Sequence, residues 1–252
     1  MSLPDLYDAI APLYHLVYAD WETSIERQAA ALDAILGEAL GPGALSILDV
    51  SCGIGTQALG LARRGHSVTA SDVSERAVTR GRQEALRRGL SIVFSVADMR
   101  QCDEHHARQF DVVLSADNSV PHLLTDGDLL VAFRAFFRCT RPGGISVITV
   151  RDYAQEDRTS PQLRPYGIRA TGRGRYIVFQ CWDFEGDHYD VTMYFLHEMG
   201  GGGVEVTVGR SRYYAVGTDK LMALLRDAGF VGVERLDGRF FQPVLIARRP
   251  AV

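Results

Sequence analysis

The chain has 252 residues, enough for one α/β domain with additions, and a formal net charge of −4, which offers no basic surface for nucleic acid. Hydrophobic residues make up 46% of it and charged residues 23%, which excludes a disordered chain. Four cysteines, without CxxC spacing, exclude a disulfide-rich scaffold. With no long apolar run and no leader-like start, the sequence predicts a cytoplasmic protein that binds neither membrane nor nucleic acid.

Two helices are predicted before the first strand. Tyr7, Tyr14 and Tyr18 stand at i, i+7 and i+11, the spacing that places side chains on one helical face. Such an aromatic stripe is either ordinary core packing or a cover over a ligand, and both interpretations stay open at this point. A second helix is predicted over 22–40, where apolar residues recur with helical spacing after a hydroxyl-bearing cap.

A buried strand, a glycine-rich turn and a helix are predicted over 47–63. Ile47 and Leu48 suit the strand. Gly53 and Gly55 lack a Cβ, so the backbone can turn sharply and a ligand can lie against it. The turn amides and the N-terminus of the following helix direct hydrogen-bond donors towards that ligand. Alone, the pattern also fits the looser fingerprint of nicotinamide dinucleotide-binding proteins.

The next two strands are predicted to end in carboxylates. The strand over 67–72 ends in Asp72, and an acid at the tip of a second parallel strand can accept hydrogen bonds from both ribose hydroxyls of an adenosine cofactor. The strand over 92–97 ends before Asp98 and Met99, where a carboxylate beside a thioether could meet the amino group and ring face of adenine. Open α/β sheets bind ligands at this edge.

Polar side chains also follow the fourth and fifth strands. The strand over 110–116 is followed by Asp117 and Asn118, and the strand over 145–150 by Arg151. All three residues should therefore meet at the ligand-binding edge of the sheet. The stretch after Arg151 contains two prolines and predicts a loop.

The C-terminal part predicts a small sheet inserted into the main one. Alternating segments separated by glycine-rich turns predict three antiparallel strands over 172–216. A helix over 218–228 and strands near 231–237 and 242–248 complete the main sheet. The expected fold is one α/β domain over 1–252: a doubly wound, mostly parallel, seven-stranded Rossmann-like sheet with an antiparallel C-terminal strand and the small insertion.

These residues carry a resemblance to class I S-adenosylmethionine-dependent methyltransferases. The run LDVSCGIGT at 48–56 stands where that family has its Asp-x-x-x-Gly-x-Gly signature. Within the class, DVVLSADNSVPHL at 111–123 is similar to the DxVxxxxNSxxHL segment of glycine N-methyltransferase and its bacterial glycine/sarcosine relatives. The resemblance implies S-adenosylmethionine as cofactor, a small-molecule acceptor, a helical lid formed by residues 1–40, and an inserted sheet.

The resemblance also implies which residues hold the cofactor. They are expected in the lid, around the glycine turn and at the strand tips: Tyr14, Trp21, Arg27, Asp49, Gly53, Gly55, Asp72, Val73, Asp98, Met99 and Ala116. Arg27 is implied by its offset from Gly53, where relatives place an arginine that meets the cofactor carboxylate. A solvated helix arginine is the alternative.

On the acceptor side, Asn118 is expected to orient an amine or carbonyl, and Arg151 to clamp a substrate carboxylate with its planar fork. The alternatives are that Asn118 is an ordinary turn residue and that Arg151 forms an ion pair with Asp152 or a neighbouring acid. His122 is either a packed histidine or a proton acceptor. Tyr213 and Tyr214 match a tyrosine pair of the relatives, and one of them should face the pocket.

One difference from the family pattern bears on the expected substrate. Asp117 replaces a glycine of the glycine N-methyltransferase pattern. A carboxylate there favours a cationic or amino-sugar-like substrate over a small zwitterion, or acts as a base, unless it points to solvent. No metal is expected, because the adjacent His105 and His106 would point apart.

The sequence thus predicts a small-molecule methyltransferase that acts on nitrogen mainly by positioning its reactants. The alternatives are an oxygen-directed methyltransferase, a nicotinamide-dependent oxidoreductase and a non-catalytic binding protein. A homo-oligomer is left open.

Overall fold

The computed structural model describes residues 3–172, 174–199 and 202–251. The main sheet has seven strands in the order β10-β11-β5-β4-β1-β2-β3. Strands β1 to β5 run parallel, and β11 is antiparallel to both β5 and β10. The strands are β1 (Ser46–Asp49), β2 (Ser67–Asp72), β3 (Val93–Val96), β4 (Phe110–Ser115), β5 (Thr140–Thr149), β10 (Val231–Leu236) and β11 (Val244–Arg248). The predicted doubly wound, mostly parallel sheet is confirmed.

Helices cover both faces of this sheet. They are α1 (Leu3–Ile10), α2 (Trp21–Leu40), α3 (Thr56–Arg63), α4 (Glu75–Arg87), α5 (Cys102–His106), α6 (Asp126–Cys139) and α7 (Thr218–Asp227), with short 3-10 helices at Tyr14–Val17, Met99–Gln101 and Val120–His122. The alternation of side chains in the strands explains the two layers, since neighbours in one strand face opposite sides. Leu48 and Val113 pack with α6 and α7, whereas Ile47 and Val112 pack with α2 and α3.

The second sheet has four antiparallel strands rather than the predicted three. They are β6 (Gln162–Thr171), β7 (Gly174–Glu185), β8 (His188–Glu198) and β9 (Val204–Tyr214), paired in chain order. The additional strand β6 lies in the stretch predicted as a loop, so the inserted sheet begins before the predicted boundary at 172. Pro165 lies within β6, which is an edge strand and therefore tolerates a residue without an amide hydrogen.

The N-terminal residues do not form one continuous helix. Between α1 and the 3-10 helix at Tyr14–Val17 the chain turns, so the helical stripe predicted from the tyrosines is interrupted. Leu6 and Ile10 of α1 pack against β7 and β8. On the other side of α1, Asp8 accepts a hydrogen bond of 2.5 Å from Ser74 at the start of α4. The segment therefore connects the two sheets, whereas α2 belongs to the layer that covers the main sheet.

Among the described residues, no helix is both long and apolar enough to cross a membrane.

Candidate active site

Two cavities meet at the carboxyl edge of the parallel strands. The first, of about 300 Å³, lies over the glycine turn and the tips of β2 and β4. The second, of about 520 Å³, lies between the ends of β4 and β5 and the second sheet. Four residues line both cavities: Tyr7, Tyr14, Tyr18 and Asp117. A molecule in either cavity therefore touches the same group of side chains at the junction.

The glycine turn and Asp72 form the floor of the first cavity. Gly53 has a φ of +50°, in the left-handed region that favours glycine, and its amide donates to Asp72 Oδ2 over 2.9 Å. The amide of Ser74 donates to Asp72 Oδ1 over 3.0 Å. Burial raises the pKa of Asp72, and these backbone amides counteract that rise. Asp72 also lines the cavity, so a ligand there can contact its carboxylate.

Asp49 lies beneath the turn and not in the cavity. Its side chain is buried, and Oδ1 accepts a long hydrogen bond of 3.3 Å from the amide of Ser51. Oδ2 has no hydrogen-bond partner among the described residues. Burial, aided by the charge of Asp72, raises the pKa of Asp49 to about 7. An unsatisfied buried carboxylate at the turn is a group that a bound cation or ammonium would stabilise.

Two other predicted cofactor residues, Gly55 and Trp21, lie behind the residues that line the first cavity. Gly55 caps α3 with a φ of +95°, and a Cβ there would lie 3.3 Å from Leu59. Trp21 Nε1 donates to the hydroxyl of Thr56 over 2.9 Å, and Thr56 lines the cavity. These residues shape the turn, but they are not among those that line either cavity.

Arg27 lies away from both cavities. It is exposed on α2, whereas its neighbour Gln28 is buried and accepts a hydrogen bond of 2.7 Å from Gln57. The structure therefore does not bring Arg27 to the position expected from the resemblance. One residue step along a helix rotates the side chain by about 100°, so an offset in sequence is not enough to place it.

The remaining predicted cofactor residues do line the first cavity. They are Tyr14, Val73, Asp98, Met99 and Ala116. The Asp98 carboxylate is also engaged by Arg100, whose Nη2 lies 2.6 Å from Oδ2, and this pairing lowers the pKa of Asp98 against the effect of burial. Asp98 therefore remains ionised at neutral pH.

The second cavity has an aromatic wall. Tyr166 on β6, Trp182 on β7 and Tyr189 on β8 line it, together with Tyr213 on β9. The wall is one face of the second sheet, because Trp182 pairs with Val191 and Tyr189 with Tyr213 in the strand register. Sequence reasoning identified only Tyr213; the alternation within β7 and β8 was the signal that could have found the others.

Asn118 holds the ends of two strands together. Its Oδ1 accepts from the amide of Arg151 over 3.0 Å, and its Nδ2 lies 2.8 Å from the hydroxyl of Tyr153. Its own amide donates to Thr149 O over 3.0 Å. The side chain is buried and its amide group is already engaged. Asn118 also lines the second cavity, so its direct contact with substrate stays a prediction beside this structural role.

Asp117 lies at the junction of the two cavities, in a left-handed conformation with a φ of +57°. Its carboxylate accepts from Tyr18 Oη and from Gln242 Nε2, each over 3.3 Å. Burial raises its pKa, while the charge of Arg151 acts in the opposite direction. Both hydrogen bonds are long, so the carboxylate can still accept a stronger donor. The solvent-facing alternative is excluded by this position.

Arg151 lies in the second cavity, with its guanidinium 4.7 Å from the ring centre of Trp182. Its Nη1 is 3.7 Å from Glu156 Oε1, a loose ion pair, and Glu156 is also bound at 2.7 Å by Arg164. The Nε of Arg151 is buried and has no acceptor among the described residues. The alternative expected for Arg151, an ion pair with Asp152 or a neighbouring acid, is thus present in a loose form with Glu156, whereas Asp152 binds Arg235.

His122 is fully hydrogen-bonded within the wall of the first cavity. Its Nε2 lies 2.8 Å from Tyr7 Oη, and its Nδ1 lies 3.2 Å from Ser211 Oγ. Its ring packs 4.0 Å from that of Tyr213. Burial without a counter-charge lowers the pKa of His122 to about 3, so the imidazole is neutral at physiological pH.

Of the tyrosine pair, only Tyr213 lines a cavity. Its hydroxyl lies 3.4 Å from Tyr7 Oη. Tyr214 points the other way, donates to Asp126 over 2.9 Å and lies 3.1 Å from Lys220 Nζ. Adjacent residues of a strand face opposite sides, so one of the two had to leave the site.

Comparison with known sequences gives a consistent result. The pattern of a methyltransferase domain family matches residues 47–144. A glycine/sarcosine N-methyltransferase of Parasynechococcus marenigrum is 28% identical over 134 residues, covering 53% of this chain and 46% of that protein. A ubiquinone biosynthesis O-methyltransferase of Caulobacter vibrioides is 34% identical over 104 residues, 41% of this chain and 40% of that protein. The chain spans about half the length of the curated relatives it matches.

Among solved structures, S-adenosylmethionine-bound CalS10 of Micromonospora echinaspora, described as an amino pentose methyltransferase, has a TM-score of 0.78. It is 18% identical to this chain, and the match covers 94% of this chain and 95% of that one. This likeness shows that the whole fold, including the second sheet, is shared.

Proposed function

We propose that this chain, whose residues 47–144 match a methyltransferase domain family, is an S-adenosylmethionine-dependent methyltransferase that methylates the nitrogen of a small-molecule amine, an amino sugar being the favoured class. One observation carries the choice of nitrogen: the Asp117 carboxylate stands at the junction of two cavities, one suited to the cofactor and one lined by aromatic rings. An amine held there lies between the methyl donor and the acceptor wall.

The first cavity fits the cofactor in both size and chemistry. Its volume of about 300 Å³ is at the lower end of small-molecule sites. Asp72 would hold the ribose hydroxyls, Met99 and Val73 the adenine, and the glycine turn the amino-acid end. Asp49 lies beneath this turn, outside the cavity, and would support the turn rather than contact the cofactor. When bound, S-adenosylmethionine supplies a methyl group on a positively charged sulfur.

The role assigned to Asp117 is to receive the amine and its proton. An amine is protonated at neutral pH and has no lone pair to react, so one proton must leave before methyl transfer. Burial strengthens the basicity of the Asp117 carboxylate, which favours transfer of that proton from the ammonium group. The neutral amine then presents its lone pair for methylation, and the product leaves as an ammonium ion. Asp117 releases the proton that it has taken to solvent before the next turnover.

The surroundings of His122 argue against an oxygen nucleophile. A hydroxyl group loses its only proton as it reacts and benefits from a general base with a pKa near the working pH. The pKa of His122 is lowered to about 3, and both ring nitrogens are engaged by Tyr7 and Ser211. We therefore assign this histidine to positioning the Tyr7 hydroxyl at the junction.

The other residues would fix geometry, which is the main requirement of a methyl transfer. Asn118 joins the ends of β4 and β5 and so sets the position of Asp117. The residues before α2, which include Tyr7, Tyr14 and Tyr18, would act as a lid that excludes water from both cavities. Arg151, with its unsatisfied Nε, would bind an anionic group of the substrate.

The aromatic wall supports an amino sugar as acceptor. Tyrosine and tryptophan rings present flat apolar faces for the carbon–hydrogen face of a sugar ring, and the tyrosine hydroxyls can hydrogen-bond its hydroxyl groups. The same rings stabilise a nearby cation. The amino pentose described for CalS10 is carried to this chain as part of the proposal, on the strength of Asp117 and this wall.

The test combines binding and turnover. Calorimetry should show a complex with S-adenosylmethionine and none with NAD at the same concentration. Mass spectrometry should then show addition of 14 Da per methyl group to members of an amino-sugar panel, with ring-hydroxyl analogues that lack the amine as matched controls. Methylation of the hydroxyl analogues at the same rate would overturn the assignment to nitrogen, and binding of NAD in place of S-adenosylmethionine would overturn the whole proposal.

A further inference from the structure

A buried glutamine at the end of the connection between β10 and β11 reaches the junction of the two cavities. Gln242 is 8% exposed, whereas Phe241 beside it is 52% exposed. The amide of Val150 donates to Pro243 O over 3.2 Å, which fixes this part of the connection to the end of β5. Buried side-chain amides are normally hydrogen-bonded, so the partners of Gln242 indicate its role.

These partners form a closed ring of hydrogen bonds that begins and ends on Asp117. The main-chain amide of Asp117 donates to Thr149 Oγ1 over 2.7 Å, and this hydroxyl donates to Gln242 Oε1 over 3.1 Å. Gln242 Nε2 then donates to Asp117 Oδ1 over 3.3 Å. Because the last bond is long, its effect lies in which group faces Oδ1 rather than in binding strength.

The ring determines which end of the Gln242 amide faces Asp117. Thr149 is completely buried, and its oxygen accepts from the amide of Asp117, so its own hydrogen is directed to Gln242 Oε1. Reversal of the side-chain amide would set Oε1 against the carboxylate and leave the Thr149 hydroxyl hydrogen without this acceptor. A buried donor without an acceptor is destabilising, so the observed orientation is the favoured one.

The two carboxylate oxygens of Asp117 therefore differ in what they can do. Oδ1 faces the amide nitrogen of Gln242, which can only donate. Oδ2 accepts from Tyr18 Oη over 3.3 Å, and a hydroxyl can also accept. A hydrogen on Oδ1 would meet the hydrogens of the Gln242 amide, whereas a hydrogen on Oδ2 would meet an oxygen that can accept it.

We propose that Gln242 is a positioning residue for the reaction: its donor at Oδ1 favours the ionised form of Asp117 before the amine binds and directs the proton of the amine to Oδ2. This inference rests on the proposed function, in which Asp117 receives that proton. In the transfer, one N–H bond of the ammonium group breaks and its electron pair stays on nitrogen, while an O–H bond forms at Oδ2. Gln242 itself takes no proton.

Other groups around Asp117 also influence this proton. Burial raises the pKa of Asp117, while the charge of Arg151 and the hydrogen bonds from Tyr18 and Gln242 act in the opposite direction. Burial also raises the pKa of the tyrosines that face Asp117, that of Tyr166 to about 12, so they are neutral hydroxyls at physiological pH: Tyr14, Tyr18 and Tyr166. Loss of the Gln242 donor should therefore raise the pH at which Asp117 binds its proton.

The first test is a titration of Asp117 in the full chain without ligands, by NMR of carbon-13-labelled aspartate carboxyl groups. Asp117→Asn identifies the signal. Gln242→Met has a similar length and no donor, so Asp117 should titrate at higher pH than in wild type. Gln242→Glu keeps an acceptor for Thr149 but places a second carboxylate beside Asp117, so the proton shared by the pair should titrate higher still.

Gln180→Met is the matched control. Gln180 is also 8% exposed and lines the same cavity, but its Oε1 accepts from Trp182 Nε1 over 2.8 Å. The titration of Asp117 should be unchanged in this variant. An unchanged titration in both Gln242 variants, or an equal shift in Gln180→Met, would overturn the proposal.

The second test is the pH profile of kcat/KM for an amine acceptor. Protonated Asp117 cannot receive the amine's proton, so the acid side of the profile should move to higher pH in Gln242→Met. At the pH where wild-type kcat/KM is half maximal, the variant should be at least twofold lower relative to its own maximum, a shift of about half a pH unit. A merely structural role would lower the whole profile without moving it, and that outcome would count against the proposal. Because the titration uses no substrate, it separates a failure of this inference from a failure of the proposed function, which would appear as absence of amine methylation.

Discussion

Replacing Asp117 by asparagine isolates the charge at the cavity junction. Asparagine has nearly the same shape and tolerates the left-handed backbone observed at this position, where φ is +57°. The carboxylate receives only two internal hydrogen bonds, both of 3.3 Å, so little stability depends on them. We therefore expect Asp117→Asn to fold normally and to bind S-adenosylmethionine within twofold of wild type.

We expect Asp117→Asn to weaken only the interaction with the amine acceptor. A hydrogen bond between an ammonium group and a carboxylate is worth about 1.5–3 kcal/mol in proteins. Since about 1.4 kcal/mol corresponds to a factor of ten, kcat/KM for an amine acceptor should fall by about 10- to 150-fold. Calorimetry measures the effect of the substitution on cofactor binding. Steady-state kinetics at a fixed, saturating cofactor concentration measure its effect on the amine acceptor.

The pH dependence gives an independent check. Burial raises the pKa of Asp117 above its ordinary value of 3.8, so the folded protein binds this proton more tightly than the unfolded chain does. Ionised Asp117 therefore lowers the stability of the folded protein as the pH rises above about 4 and through the folded pKa of Asp117. Asparagine does not ionise, so the variant does not lose this stability. At pH 7 the variant should melt at the same temperature or higher. A variant that keeps its kcat/KM for amines within twofold, or loses cofactor affinity in parallel, would refute the reasoning.

Three further predictions concern the cofactor, the substrate anion and the lid. Asp72→Ala should weaken S-adenosylmethionine binding by about 1.5–3 kcal/mol, measured by calorimetry, and unchanged affinity would contradict its ribose role. Arg151→Lys should lower kcat/KM at least tenfold for a substrate that carries an anionic group but not for a neutral analogue, because lysine lacks the bidentate fork. Hydrogen exchange in residues 3–20 should slow when S-adenosylmethionine is added; equal exchange at saturation would argue against a lid.

Much of the main sheet could be predicted, because its signals are local and periodic. Strand β2 was predicted at its observed bounds, and α7 to within one residue. β6 was missed because its proline and glycine resemble a loop, and only the pairing with β7 makes them part of a strand. Edge position is a property of the assembled sheet and cannot be read from the strand alone.

The cofactor side of the site was predictable for a similar reason. Asp72 and Asp98 follow strand ends, and parallel strands bring their ends to one edge. The aromatic wall of the second cavity was not predictable, because Trp182 and Tyr189 reach the cavity only through the packing of the second sheet against the first. Asn118 lines the second cavity, at the sheet edge where it was predicted. Its hydrogen bonds to Arg151 and Tyr153 were not predicted, because these partners are distant in sequence.

Asn118 and Asp117 have different roles, and this difference determines what a substitution at each position would change. Asn118 and Thr149 fix the backbone by hydrogen bonds to main-chain groups, whereas the side chain of Asp117 has only weak contacts and projects into the space where the cavities meet. A mutation at 117 can thus alter the charge presented to the acceptor while the scaffold around it stays in register. A substitution of the Asp117 side chain would leave the main-chain hydrogen bond of residue 117 to Thr149 and the bonds of Asn118 in place, so the charge at the junction and the fold around it depend on different groups.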